Sequence, residues 1–177
     1  SVDAPATYLA LDREGARLAL ASGSNITIHA WQENTSQSFS CASPVSNINF
    51  GEGAGAPLCI TLPDRVLVRQ PGGATTEYTF NSTPFQSFLS PSSRILGTGL
   101  FDGRLLLWDT TTGERFPRIP RNGNLVYNAT FSEDENKIII TSFHRSAMAW
   151  HVDLGGEIGH MPHNDGITRA AFRPEFG

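Results

Sequence analysis

The sequence predicts an all-β fold built from one repeated antiparallel unit, and three observations predict it. First, an apolar residue followed by a turn-forming segment recurs every 39 to 42 residues, at Leu11, Phe50, Leu89, Phe131 and Phe172. Second, another landmark follows the first four of these marks by nineteen or twenty residues: Trp31, Arg69, Trp108 and Trp150. Third, no apolar period of 3.6 residues is sustained over any eleven-residue window, so no helix is expected.

A repeat of about forty residues with several short strands is typical of a propeller blade. A blade is a twisted sheet of an inner strand, two central strands and an outer strand, and neighbouring blades must cover its faces. The 177 residues hold four blades and the opening strand of a fifth. The blades are predicted at residues 5–41, 44–80, 84–120 and 124–162, and the fifth-blade strand at 166–172. We therefore expect a single-domain β-propeller with an incomplete ring.

The strands follow from apolar runs at central positions and from alternation in inner strands. In blade one they are Tyr8–Leu11, Arg17–Ala21, Ile26–Trp31 and Ser36–Cys41. Blade two has Ser46–Phe50, Leu58–Leu62, Val66–Arg69 and Glu77–Phe80. Blade three has Phe85–Leu89, Ile95–Thr98, Arg104–Trp108 and Arg115–Ile119. Blade four has Val126–Phe131, Lys137–Thr141, Ala147–Val152 and Glu157–Met161. Turn-forming residues such as Asp102-Gly103 separate these segments.

Blade three carries a recognisable motif. It contains Leu-Ser-Pro at 89–91, Gly97-Thr-Gly99, Phe101-Asp-Gly103 and Trp108-Asp109. These residues resemble the WD40 repeat family, and the resemblance covers nearly the whole chain, weakly in blade two and clearly in blades three and four. The family is built of propeller blades, so the resemblance implies the same fold as the repeat length.

The resemblance also implies roles for individual residues. In WD40 proteins a His before the inner strand, a Ser or Thr on the second strand, an Asp in the next turn and the Trp of the third strand form a hydrogen-bonded chain. Blade three has the last three but no His, so packing must supply more of its stability. His163, nine residues before Phe172, is the candidate His of blade five. The structural residues expected on this basis are Trp31, Thr98, Asp102, Trp108, Trp150 and His163.

Composition bears on the class of partner and on location. The formal net charge is −4 and the 13 Lys and Arg residues are scattered, which argues against a nucleic-acid partner. No apolar run is long enough for a membrane span. Two cysteines do not make a disulfide framework. We expect an intracellular protein, cytoplasmic or nuclear, and the start at Ser1 suggests part of a longer chain.

Catalytic, metal and cofactor sites are not expected. His144, His151, His160 and His163 lie within twenty residues. Strand geometry, however, places the first two at opposite rims, about 20 Å apart. No Gly-x-Ser-x-Gly elbow and no phosphate-binding glycine loop before a helix are present. The acidic residues fall in turns after inner strands, where solvated turns explain them. A non-enzymatic protein without metal or cofactor is therefore predicted.

What remains is the common use of WD40 propellers, which bind protein or peptide partners on a rim. The rim expected to bind carries the turns between central strands and the connections that enter inner strands. The partner-binding residues predicted there are Arg65, Phe101, Arg121, Phe143, His144 and Arg145. Phe101, Phe143 and Arg145 are favoured because aromatic and Arg side chains dominate binding energies. Alternatively, each of these three closes a hairpin.

Two questions stay open at this point. The function could instead be that of a ligand-binding propeller such as a carbohydrate-binding lectin, although lectin propellers tend to repeat one site in every blade. The ring could be completed by the rest of a longer chain, by self-association with a second copy, or by another protein that donates blades.

Overall fold

The computed structural model describes residues 5–117, 125–142, 146–167 and 169–172, which form fifteen strands and no helix. The strands, in chain order, are β1 (Tyr8–Leu11), β2 (Arg17–Ser22), β3 (Asn25–Ala30), β4 (Thr35–Ser40), β5 (Asn47–Phe50), β6 (Leu58–Thr61), β7 (Arg65–Arg69), β8 (Thr75–Thr79), β9 (Pro84–Leu89), β10 (Ile95–Leu100), β11 (Leu105–Asp109), β12 (Val126–Phe131), β13 (Lys137–Ser142), β14 (Ser146–His151) and β15 (Gly156–Pro162). Their bounds agree with the predicted strands to within two residues.

The strands form four antiparallel sheets in which neighbours along the chain are neighbours in the sheet. Blade one is β1-β2-β3-β4, blade two β5-β6-β7-β8, blade three β9-β10-β11 and blade four β12-β13-β14-β15. The blades stack in chain order, inner strand beside inner strand, and do not close into a ring. The predicted all-β, blade-like fold with an incomplete ring is confirmed.

Two predicted strands are not formed in the described residues. The outer strand of blade three, predicted at Arg115–Ile119, is reduced to a bridge between Arg115 and Trp108. The Phe116 amide also donates to the Leu107 carbonyl, at 3.0 Å; residues 118–120 lie outside the described chain. In the predicted fifth-blade segment 166–172, the described residues form no strand.

The core consists of three apolar layers, one between each pair of successive blades. The layer between blades one and two is the cluster around Ile26, Ile48, Leu58 and Ile60. That between blades two and three contains Cys59, Val66, Val68, Tyr78 and Leu96. The third layer is the largest and includes Phe88, Leu107, Phe131, Ile138 and Ile140. β6 and β10 are buried at every position, because both faces of their sheets are covered.

The strand registers make the repeat exact enough to compare positions. The apolar residue that marks each repeat, at Leu11, Phe50, Leu89 or Phe131, pairs with one residue of the second strand. That second-strand residue pairs in turn with one residue of the third strand. That third-strand residue is His29 in blade one, Arg69 in blade two, Trp108 in blade three and Trp150 in blade four. The prediction for Trp31 is therefore wrong. Trp31 lies beyond the end of β3 in the turn to β4 and is 48% exposed.

Trp108 packs between blades two and three, and the hydrogen-bonded chain of the WD40 family is not formed among the described residues of blade three. Its indole meets Tyr78 and Phe80 of blade two in edge contacts, with ring centroids 5.5 and 6.1 Å away. The indole N–H groups of Trp108 and Trp150 are buried, and neither has a hydrogen-bond partner among the described residues. Thr98 donates to Ser87 Oγ instead, at 3.3 Å. Asp102 instead receives three hydrogen bonds from Arg104.

Arg69 fills in blade two the role that Trp108 has in blade three. Its guanidinium lies 4.1 Å from the ring centroid of Phe39 in blade one. Phe39 pairs with Ile26 as Tyr78 pairs with Val66, so the two aromatic rings are equivalent. A cation over a ring thus replaces an aromatic pair at the same point of the repeat.

Two glycines in β10 let blades three and four approach. A Cβ on Gly97 would stand 2.1 Å from the Phe88 ring, and one on Gly99 would stand 2.9 Å from Val126 Cβ. Phe88 in turn packs on Phe131 of blade four, with centroids 5.8 Å apart. The motif Gly97-Thr-Gly99 is therefore explained by packing.

The turns after the inner strands also join the blades. Arg17 donates to Asp12 and to the Ala56 carbonyl of blade two, at 2.9 Å each. Burial alone would raise the pKa of Asp12, but hydrogen bonds from Arg17 and the Ala16 amide hold it below its usual value. Between blades three and four, Ser92 donates through its amide and hydroxyl to the Glu135 carboxylate.

We predict that Trp108→Ala lowers the free energy of unfolding by about 3–5 kcal/mol, because loss of the indole leaves a cavity in the apolar layer between blades two and three. Trp31→Ala should change it by less than about 0.5 kcal/mol, because Trp31 is half exposed in a turn. Urea denaturation followed by circular dichroism measures both. Equal losses for the two variants would contradict the register described above.

We also predict that Gly97→Ala destabilises the protein by about 1–3 kcal/mol, because the new methyl displaces the Phe88 ring. Gly159→Ala is the matched control, since Gly159 also lies within a strand and has open space at its Cβ position. The control should unfold at the wild-type urea concentration. A Gly97→Ala protein as stable as wild type would show that blades three and four do not need this close approach.

Candidate binding site at the axial opening

The inner strands of the four blades converge on a central opening. It has a volume of about 490 Å³ and is lined by Tyr8, Ser46, Asn47, Phe85, Gln86, Tyr127, Asn128 and Arg169. Every blade contributes to it, and Arg169 comes from the segment that follows blade four. A volume of this size lies in the range of ligand pockets. We call these eight residues the axial site.

Five axial-site residues occupy one position of the repeat. Each lies three residues before an inner-strand mark, and four of these positions are equivalent in strand register. The five residues are Tyr8, Asn47, Gln86, Asn128 and Arg169. All five have polar side chains that can donate hydrogen bonds. None of these side chains hydrogen-bonds or ion-pairs with another described residue.

An aromatic cluster lies at the mouth of the axial site. Phe85 meets Phe101 edge-on, with ring centroids 5.1 Å apart, and lies 6.3 Å from Tyr127. Phe101 is in the turn between β10 and β11, and its amide donates to the Thr83 carbonyl at 3.0 Å. That bond ties the turn to the connection entering β9. Phe101 is nevertheless 57% exposed, so the cluster offers a ring face to solvent.

The structure places the predicted partner-binding residues in different surroundings. Phe101 lies beside the axial site. Arg65 is on the same rim but is held by Asp64 and Glu77, at 2.7 and 2.6 Å, and its hydrogen bonds hold the pKa of Asp64 below its usual value. The structure does not bring Arg65 into the axial site. Four predicted residues lie outside the described residues: Arg121, Phe143, His144 and Arg145.

The histidines and cysteines do not form a site in the part of the chain that the structure describes. His163 is exposed and forms none of the predicted network there. His151 Nδ1 accepts a hydrogen bond from the Leu154 amide. Cys41 and Cys59 are free thiols, and burial raises the pKa of Cys59. Across the described ranges, no three His, Cys, Asp or Glu side chains are grouped as metal ligands, and no helix could cross a membrane.

A second groove, of about 320 Å³, lies between blades one and two. Its two cations, Arg17 and Arg69, already have internal partners. Arg17 bonds Asp12 and lies 4.6 Å from the Phe50 ring centroid, while Arg69 donates to the Gly73 carbonyl and covers Phe39. These contacts hold blades together. The axial site, with unengaged polar groups, is the stronger candidate for binding.

The sequence analysis missed all eight axial-site residues. The signal was present in the repeat, because the position three residues before each apolar mark carries a polar side chain in all five repeats.

Comparison with known proteins adds no family assignment: the sequence matches no protein-family model, and no curated protein is significantly similar to it.

Proposed function

We propose that this chain is a WD40-type propeller segment that acts as a non-enzymatic scaffold or sensor, binding a protein or peptide partner at the axial site. The observation that carries the proposal is the exposed Phe101 ring, packed on Phe85 at the mouth of a polar opening. Half-exposed aromatic rings beside hydrogen-bonding groups are typical of binding hot spots, because such rings bury large areas on binding.

The composition of the axial site supports one composite partner over a repeated ligand. Equivalent positions carry Tyr, Asn, Gln, Asn and Arg, so no two adjacent blades present the same surface. A lectin that bound one sugar per blade would favour the same side chains at each position. The free thiols of Cys41 and Cys59 fit an intracellular location, cytoplasmic or nuclear, which is part of this proposal.

The proposal also includes further blades, from a longer chain, a second copy or another protein. On the open face of blade one, Leu9 and Leu11 are 68% and 57% exposed. The positions equivalent to Leu9 and Leu11 in blade two, Ile48 and Phe50, pack against blade one. The face that carries Leu9 and Leu11 is therefore one that a preceding blade would cover.

We predict that Phe101→Ala reduces partner binding about tenfold or more, since truncation of a hot-spot aromatic costs upwards of about 1–2 kcal/mol. The measurement is quantitative recovery of interacting proteins from a cell extract on immobilised full-length chain. Trp31→Ala is the matched control, because Trp31 is an aromatic residue of similar exposure at the opposite rim. It should recover partners as well as the wild type does.

Equal recovery by Phe101→Ala and wild type would contradict binding at the axial site. Loss with Trp31→Ala alone would move the binding surface to the opposite rim. Strong, saccharide-specific binding on a glycan array, abolished by Phe101→Ala, would favour a lectin instead.

A further inference from the structure

The charge and donor content of the axial site restrict what it can bind. Of the residues that line it, Arg169 alone carries a charge, and no lining residue has a carboxylate. The other polar side chains are amides and hydroxyls: Tyr8, Ser46, Asn47, Gln86, Tyr127 and Asn128. The Ser46 hydroxyl already donates to the Thr61 carbonyl, so the donors offered to a ligand are those of Tyr8, Asn47, Gln86 and Asn128, beside one fixed positive charge.

Arg169 is exposed and has no ion-pair partner among the described residues. The other arginines of the rim differ from it: Arg65 is neutralised by Asp64 and Glu77, and Arg104 by Asp102. An unpaired guanidinium beside amide donors is complementary to an anion, and its planar fork matches the two oxygens of a carboxylate.

We propose that the axial site recognises an extended, acidic peptide segment, with an Asp or Glu carboxylate of the partner bound to Arg169 and a neighbouring apolar side chain on the Phe85–Phe101–Tyr127 cluster. The inference rests on the proposed function and deepens it. A carboxylate is favoured over a phosphate because the one guanidinium of this lining balances the single charge of a carboxylate, whereas a phosphate ester carries about two negative charges at pH 7.

The dimensions agree with an inserted segment. An opening of about 490 Å³ holds a small ligand or a few side chains rather than a folded element. The cluster borders the same opening, since Phe85 and Tyr127 belong to both the lining and the cluster. An acidic residue and an apolar residue close together on one extended chain reach both features.

The experiment uses the full chain and four pools of immobilised random hexapeptides. The pools share every degenerate position and differ in one fixed central residue, which is Glu, Gln, Lys or phosphoserine. Binding is measured for the wild type and for Arg169→Gln, Arg169→Lys and Arg115→Gln. Arg115→Gln is the matched control, because Arg115 is exposed on the edge of blade three, away from the lining. Thermal melting shows that each variant is folded.

The wild type should bind the Glu pool about tenfold better than the Gln pool, as expected for one charge-assisted hydrogen-bonded pair. Arg169→Gln should lose that preference while keeping its binding to the Gln pool, which depends on the aromatic cluster. Arg169→Lys should retain part of the preference, and Arg115→Gln all of it. Raising the salt from about 0.05 M to about 0.5 M should weaken the preference, since Arg169 is exposed to solvent.

A Glu preference that survives in Arg169→Gln, or equal binding of the Glu and Gln pools, would overturn this inference and leave peptide binding itself intact. Stronger binding of the phosphoserine pool than of the Glu pool would also overturn it, because phosphate would then be the preferred anion. If no pool binds to the wild type, both this inference and the proposed peptide-binding function fail.

Discussion

The whole fold depends on the burial of both faces of each four-stranded sheet. β6 and β10 have no solvent-facing position, so neither strand is stable unless a blade lies on each side. The apolar layers between blades satisfy this need three times along the chain. Among the described residues, no blade covers the outer face of blade one, so Leu9 and Leu11 are exposed there, whereas the equivalent residues of blade two are covered by blade one.

Because the apolar layers between blades hold the blades together, the third-strand residue equivalent to Trp108 differs in type from blade to blade. His29, Arg69, Trp108 and Trp150 occupy it in turn, and only the last two are aromatic. The unpartnered indole N–H of Trp108 costs about 1–3 kcal/mol. The ring contacts with Tyr78 and Phe80 offset that cost. The hydrogen-bonded chain seen in the WD40 family is therefore not what holds this blade.

Periodicity was enough to predict the strands and blades, because alternation and apolar runs report directly on burial. It failed at Trp31 for a local reason. In blade one the step from the second-strand residue Leu18 to its partner His29 is eleven residues, whereas the step from Leu96 to Trp108 is twelve. That shorter step accounts for one of the two residues that separate Trp31 from the equivalent position, His29.

The axial site follows from the same repeat in a way that no single blade reveals. Tyr8, Asn47, Gln86 and Asn128 occupy equivalent strand positions, and together with Arg169 they line one common space. Identical side chains would have made a symmetric surface for a symmetric or repeated ligand. Different ones make an asymmetric lining in which Arg169 carries the one charge among the lining residues. Under the proposed function, the divergence of the repeats, which weakens them as a sequence signature, is the property that would let the site select one partner.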